Sequence, residues 1–216
     1  MTEPQPQPAS LFVHLLRQAW FWFGLLGIFF GIAIIHDLLT ADTEPPALYG
    51  TVPEFSLTAQ SGSPYGSSEL RGKTWVSNFI FTRCKTVCPI FSSKMSILQS
   101  KTRGVGDDLQ LISFSVDPEF DTPAVLAEYS KRFNANPQHW QFLTGPTDKV
   151  RAVVIDGLKT FMGDAATVEA PEELMHGSHF VLVDPDMNIR GFYQSEDEDT
   201  MDRLLLDIEL VINEER

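Results

Sequence analysis

Apolar residues run without a charge from Ala19 to Ile35, and with His36-Asp37-Leu38-Leu39 the stretch reaches roughly the 20 residues a helix needs to cross a bilayer. Beyond it the pattern changes to short β-rich runs alternating with helical stretches. Strands are predicted at Trp75 to Phe81, Leu109 to Val116, Trp140 to Leu143, Phe180 to Val183 and Ile189 to Tyr193. Helices are predicted at Ile90 to Lys101, Thr122 to Phe133, Asp148 to Phe161 and Thr200 to Asn213. The runs at Val76 to Phe81 and Leu109 to Phe114 suit strands covered on both faces. Such alternation predicts an α/β domain with a central β-sheet flanked by helices. Asp121-Thr122-Pro123 offers an N-cap position with proline just inside the helix. Asp184-Pro185-Asp186-Met187-Asn188 reads as the turn of a hairpin between the last two strands.

Four segments follow: a tail at 1–18 whose start is Pro/Gln-rich, a transmembrane anchor at 19–39, an extended linker at 40–52 containing Glu44-Pro45-Pro46, and a domain at 53–216. His14 and Arg17 precede the span, whereas Asp37, Asp42 and Glu44 follow it, a charge bias that places the N-terminus in the cytoplasm. A cleaved signal peptide fits less well, because the start carries Glu3, no lysine precedes the long apolar run, and no small-x-small site follows. The expected setting is a single-pass protein of a bacterial inner membrane with its domain in the periplasm. The formal net charge of -13 argues against a nucleic-acid partner.

The only two cysteines, Cys84 and Cys88, sit in Phe81-Thr82-Arg83-Cys84-Lys85-Thr86-Val87-Cys88-Pro89, between a predicted strand and a predicted helix. Thiols at this spacing can chelate one soft metal ion or close one disulfide. A helix starting near Pro89 aims its unpaired N–H groups at the sulfurs, and Arg83 and Lys85 add positive charge, so thiolates are favoured. A purely structural bridge is the weaker reading, since so short a loop removes little chain entropy.

Copper binds well to mixed thiolate and imidazole sets, which directs attention to histidines. His14 and His36 flank the apolar span, and His139 reads as a loop residue. His176 and His179 remain, in Met175-His176-Gly177-Ser178-His179-Phe180, and spacing alone does not choose between them. Met95, Met162 and Met175 are soft donors whose simpler role is packing. Asp117 and Asp121 are read first as turn and cap residues, and second as carboxylates near the cysteine loop.

From Pro53 to Tyr193 the chain resembles the Sco/SenC family of membrane-anchored copper proteins that assist cytochrome oxidase assembly. The resemblance is carried by Val52-Pro53-Glu54-Phe55-Ser56-Leu57, Leu70-Arg71-Gly72-Lys73, Phe79-Ile80-Phe81-Thr82, the Cys-x-x-x-Cys-Pro of Cys84 to Pro89, Ser115-Val116-Asp117-Pro118, Leu143-Thr144-Gly145 and the stretch from His176 to Pro185. It implies a thioredoxin-like fold and a site in which Cys84, Cys88 and His176 hold one copper ion, Cu(I) or Cu(II). His179 would not be a ligand. It further implies a copper chaperone for the apo copper-site subunit of cytochrome c oxidase, with another periplasmic copper carrier or a thiol reductant as a further partner. The alternative is a thiol-disulfide oxidoreductase that reduces the cysteines of that copper site or of other exported proteins, with Cys84 attacking and Cys88 resolving. Lys85 stands where many relatives have proline, and Gly177 where Ser or Thr is commoner.

Overall fold

The computed structural model describes residues 8–40, 45–160, 179–194 and 199–214, with first-helix side chains described at 18 and 20–35. The chain divides into two units, Met1–Glu44 and Pro45–Arg216. The first unit is the helix α1 (Pro8–Thr40), whose described apolar side chains, such as Trp20 and Ile28, are exposed. Among the described residues no helix is long and apolar enough to cross a membrane.

The second unit holds β1 (Gly50–Thr51), β2 (Ser56–Ala59), β3 (Pro64–Gly66), α2 (Ser67–Leu70), β4 (Thr74–Ile80), α3 (Val87–Lys101), β5 (Leu109–Ser115), α4 (Pro123–Arg132), β6 (Trp140–Thr144), α5 (Thr147–Arg151), β7 (His179–Val183), β8 (Asn188–Gln194) and α6 (Thr200–Glu214). Among the described residues its eight strands form one sheet in the order β1-β8-β7-β4-β5-β6-β2-β3. Strands β4, β5 and β6 run parallel, while β7 lies antiparallel to β4. Every residue of β4 and β5 is buried, as their apolar runs predict for strands covered on both faces.

The two faces are packed by different partners because alternate side chains point oppositely. Trp75 and Phe114 meet Phe55 on one face, where Phe79 stacks on Phe114. On the other, Phe91 of α3 meets Phe180, and Tyr129 of α4 meets Phe142. Each large side chain fully buried in this way contributes about 1.5–3 kcal/mol.

Helix α3 begins at Val87, earlier than the predicted Ile90, so Cys88 lies inside its first turn. Proline is tolerated there because the N–H it lacks has no helical acceptor. The predicted helix at Asp148 to Phe161 is instead the short α5 followed by a wider π-type turn, Ala152–Gly157, with the Leu158 N–H donating to the Val153 carbonyl at 2.8 Å. Its predicted end at Phe161 lies outside the described residues.

Sequence periodicity missed β1, β2 and β3, which are too short to show one. The latter part of the stretch read as a linker is in fact tied to the sheet: the N–H groups of Tyr49 and Val52 donate to Ile189 and Met187 carbonyls on either side of β1. At Gly66 a Cβ would sit 2.1 Å from the Phe55 carbonyl oxygen, so only glycine permits this close approach.

Candidate metal and thiol site

Strand β4 ends at Ile80, and a tight turn, with the Cys84 N–H on the Phe81 carbonyl at 3.1 Å, carries the chain into α3. That turn places both cysteines at the carboxyl edge of the parallel strands, the usual ligand edge of an α/β sheet. The thiols are not bridged. Cys84 is 6% exposed and Cys88 fully buried, so Cys84 is the sulfur nearer solvent.

The first turn of α3 has N–H groups without helical acceptors. One of them, the N–H of Cys88, donates to the Cys84 sulfur at 3.4 Å, and the Thr86 hydroxyl lies 3.7 Å from the same sulfur. Burial pushes the Cys84 thiol up, but the Cys88 and Thr86 backbone N–H groups, together with the Cys88 thiol and Thr86 hydroxyl, outweigh it and leave it below the ordinary value. Burial pushes the Cys88 thiol far up, a contact with the Phe81 backbone pulls it down, and the Cys84 sulfur and Asp121 carboxylate add to the rise. The pair is therefore asymmetric: the sulfur nearer solvent is shifted toward thiolate and the fully buried one toward thiol.

Arg83, expected to lend charge to the sulfurs, turns away from them. Its Nε donates to Asp117 Oδ2 at 2.9 Å, and its guanidinium sits 4.7 Å over the Phe120 ring. A buried carboxylate claims the cation more strongly than a partly screened thiolate. Lys85 is exposed.

The second reading of the aspartates holds for both. Asp121 is fully buried, and its carboxylate accepts the Thr82 N–H at 3.1 Å, the Thr82 hydroxyl, and the Ser115 hydroxyl at 2.6 Å. Burial pushes its carboxyl up, against those hydrogen bonds. The helix cap is Thr122, whose hydroxyl accepts the Val125 N–H, with Pro123 opening α4. Sequence reading missed Thr82 and Ser115 as the groups that tie this carboxylate to the cysteine loop. A strand-end hydroxyl two residues before Asp117 is the one signal that hinted at them.

Because β7 runs antiparallel to β4, its first residue, His179, lies at the same sheet edge as the cysteine loop. The His179 ring packs edge-on against Phe79 and Phe192, and its Nε2 lies 3.0 Å from the Thr160 hydroxyl. Burial lowers its pKa. The ring shares a sheet face with Phe79, opposite the face on which α3 packs against Phe180. His176, Met162 and Met175 lie outside the described residues. Among the described residues no three His, Cys, Asp or Glu side chains gather closely enough to hold a metal ion. Met95 is fully buried in the core.

The site's two thiols are soft donors of the kind that copper prefers. Comparison with known proteins gives the same direction. The SCO1/SenC family model matches residues 43–212. A SCO1 protein homolog of Bacillus subtilis is 31% identical over 174 residues, covering 81% of this chain and 84% of the relative. The solved structure of BsSco, described as a Sco-family cytochrome c oxidase assembly protein with a disulfide switch, is 30% identical with a TM-score of 0.66, covering 79% of this chain and 97% of that one. Arabidopsis thaliana ScoI with copper bound is 26% identical with a TM-score of 0.61, covering 77% and 99%. The mixed α/β fold is thus that of the Sco thioredoxin-like structures.

Proposed function

Because this chain belongs to the SCO1/SenC family, we propose that it is a copper chaperone in cytochrome c oxidase assembly, in which Cys84, Cys88 and His176 hold one copper ion as cargo. The observation that carries this reading is the pair of unbridged sulfurs at the ligand edge, with the Cys88 N–H directed at Cys84. Ligation requires thiolates: the helix start favours that form at Cys84, the sulfur nearer solvent, and Cys88 gives up its proton on binding. His176 is three residues from His179, at the edge where β7 starts, and three residues span at most about 11 Å. Copper held by three donors leaves a position open for an incoming thiolate of the acceptor. The apo copper-site subunit of the oxidase is that acceptor, and another periplasmic copper carrier or a thiol reductant prepares the site.

The anchor at 19–39 belongs to this proposal and rests on the uncharged run from Ala19 to Ile35 within α1. It places the domain on the periplasmic face of a bacterial inner membrane. Metal analysis of the full chain should give one copper per chain, lost in Cys84→Ser. Undiminished, spectrally unchanged copper in that variant would overturn the assignment.

The thiol asymmetry supports a second reading, thiol-disulfide exchange. In that reaction the Cys84 thiolate attacks a partner disulfide, one partner sulfur leaves as thiolate, and Cys88, on losing its proton, displaces the other to close Cys84–Cys88. The partner is reduced by two electrons and the pair oxidised by two. A His176→Ala chain that keeps full activity favours this reading, and one that loses copper and activity with intact thiol chemistry favours the first.

A further inference from the structure

Beside the cysteine loop lies a mostly apolar concavity of about 500 Å³, walled by Arg83, Phe120, Ala124, Val125, Tyr129 and Arg132. Its rim includes Phe120, which is 46% exposed although aromatic. Ile90, just past Cys88 in α3, is likewise 58% exposed. Large apolar side chains left in water next to a reactive sulfur mark a surface that another protein covers. The rim is also rigid: Asp117 fixes the Arg83 guanidinium over the Phe120 ring, so neither side chain loses much freedom on contact.

Charge selects the occupant. The chain carries -13 overall, yet the charged residues walling the concavity are Arg83, Arg132 and Glu128. Glu128 pairs with Lys131 at 2.6 Å and also feels the charge of Arg132, which makes no direct ion pair among the described residues, so two cations face one shared carboxylate. The geometry points to a docking groove for the acceptor protein, filled by an apolar side chain that carries a carboxylate beside it, the side chain entering between Phe120 and Val125 and the carboxylate meeting Arg132. Docking there sets the partner's cysteines against Cys84, since Thr82 and Arg83 belong both to the groove and to the loop. This inference rests on the proposed function and names the partner surface that the same site uses.

The test follows transfer of copper, or of reducing equivalents, from the full chain to the apo copper-site domain of cytochrome c oxidase at increasing acceptor concentration. Arg132→Glu and Ala124→Arg should raise the half-saturating concentration about tenfold. Copper per chain, and the rate at which Cys84 attacks a small-molecule disulfide, should not move, and Arg132→Lys should retain most of the wild-type value. Unchanged half-saturation in both variants overturns the groove. A wild-type chain that neither binds copper nor reduces the acceptor refutes the proposed function instead. The groove is then judged by the equilibrium affinity of the two proteins, where no binding, or equal binding by wild type and Arg132→Glu, refutes it.

Discussion

Two buried carboxylates at opposite ends of the β4–β7 pair are treated in opposite ways. At the hairpin end, Asp184 accepts the N–H groups of Asp186 and Asn188 at 3.0 and 2.8 Å and faces Arg190 at 3.3 Å. Arg190 in turn reaches Glu214 at 2.7 Å and the Pro46 carbonyl at 2.9 Å, so its charge is met on every side. At the cysteine end, Asp121 is as deeply buried but among the described residues is met only by the hydroxyls of Thr82 and Ser115 and the Thr82 N–H. The nearby cation, Arg83, is spent on Asp117. The polar cluster at the hairpin is saturated, whereas the one beside the sulfurs holds a carboxylate that has hydrogen bonds but no cation among the described residues, as functional sites commonly do.

The comparison breaks most sharply on copper. Cys84→Ser or Cys88→Ser should abolish stoichiometric copper, while Asp184→Asn at the other end should leave one ion per folded chain, both read by metal analysis. Next in size is stability. Arg190→Ala strands the buried Asp184 and should cost about 3–5 kcal/mol in denaturant unfolding, with copper per folded chain preserved. A cost near zero would show that the hairpin cluster is not the saturated one.

The thiols sharpen the contrast further. Alkylation followed against pH should modify Cys84 first, with a midpoint below the ordinary thiol value of 9.0, and Cys88 only at higher pH, because helix N–H groups favour the first anion and burial opposes the second. Equal reactivity would remove the asymmetry. The smallest effect is expected at Asp121. Its native carboxyl holds a proton to higher pH than the unfolded value of 3.8, so its contribution to stability is present below that pH and is lost as pH rises through the raised native value. Asp121→Asn should flatten that part of the pH–stability curve of the metal-free chain, and a curve of unchanged slope would show that the carboxyl is fully compensated.

Much of this was legible in residues alone. The long apolar strands β4 and β5, the capped start of α4 and the Asp184 turn each follow from a local pattern, because burial on both faces, a hydroxyl cap and a tight turn leave marks within a few residues. The position of the cysteine pair at a strand-to-helix junction was equally readable. The choice of His176 over His179 came from family resemblance, not spacing. The structure adds that the His179 ring is occupied by Phe79, Phe192 and Thr160.

Local pattern thus determined the central strands, the helix start and the cysteine loop. Tertiary structure alone decided that Arg83 turns to Asp117, that Thr82 and Ser115 hold Asp121 under the loop, and that residues 50 and 51 add a strand beside β8. These are contacts between residues far apart in the chain, and their energies depend on which side chains the completed sheet brings together, a quantity that no short window of sequence contains.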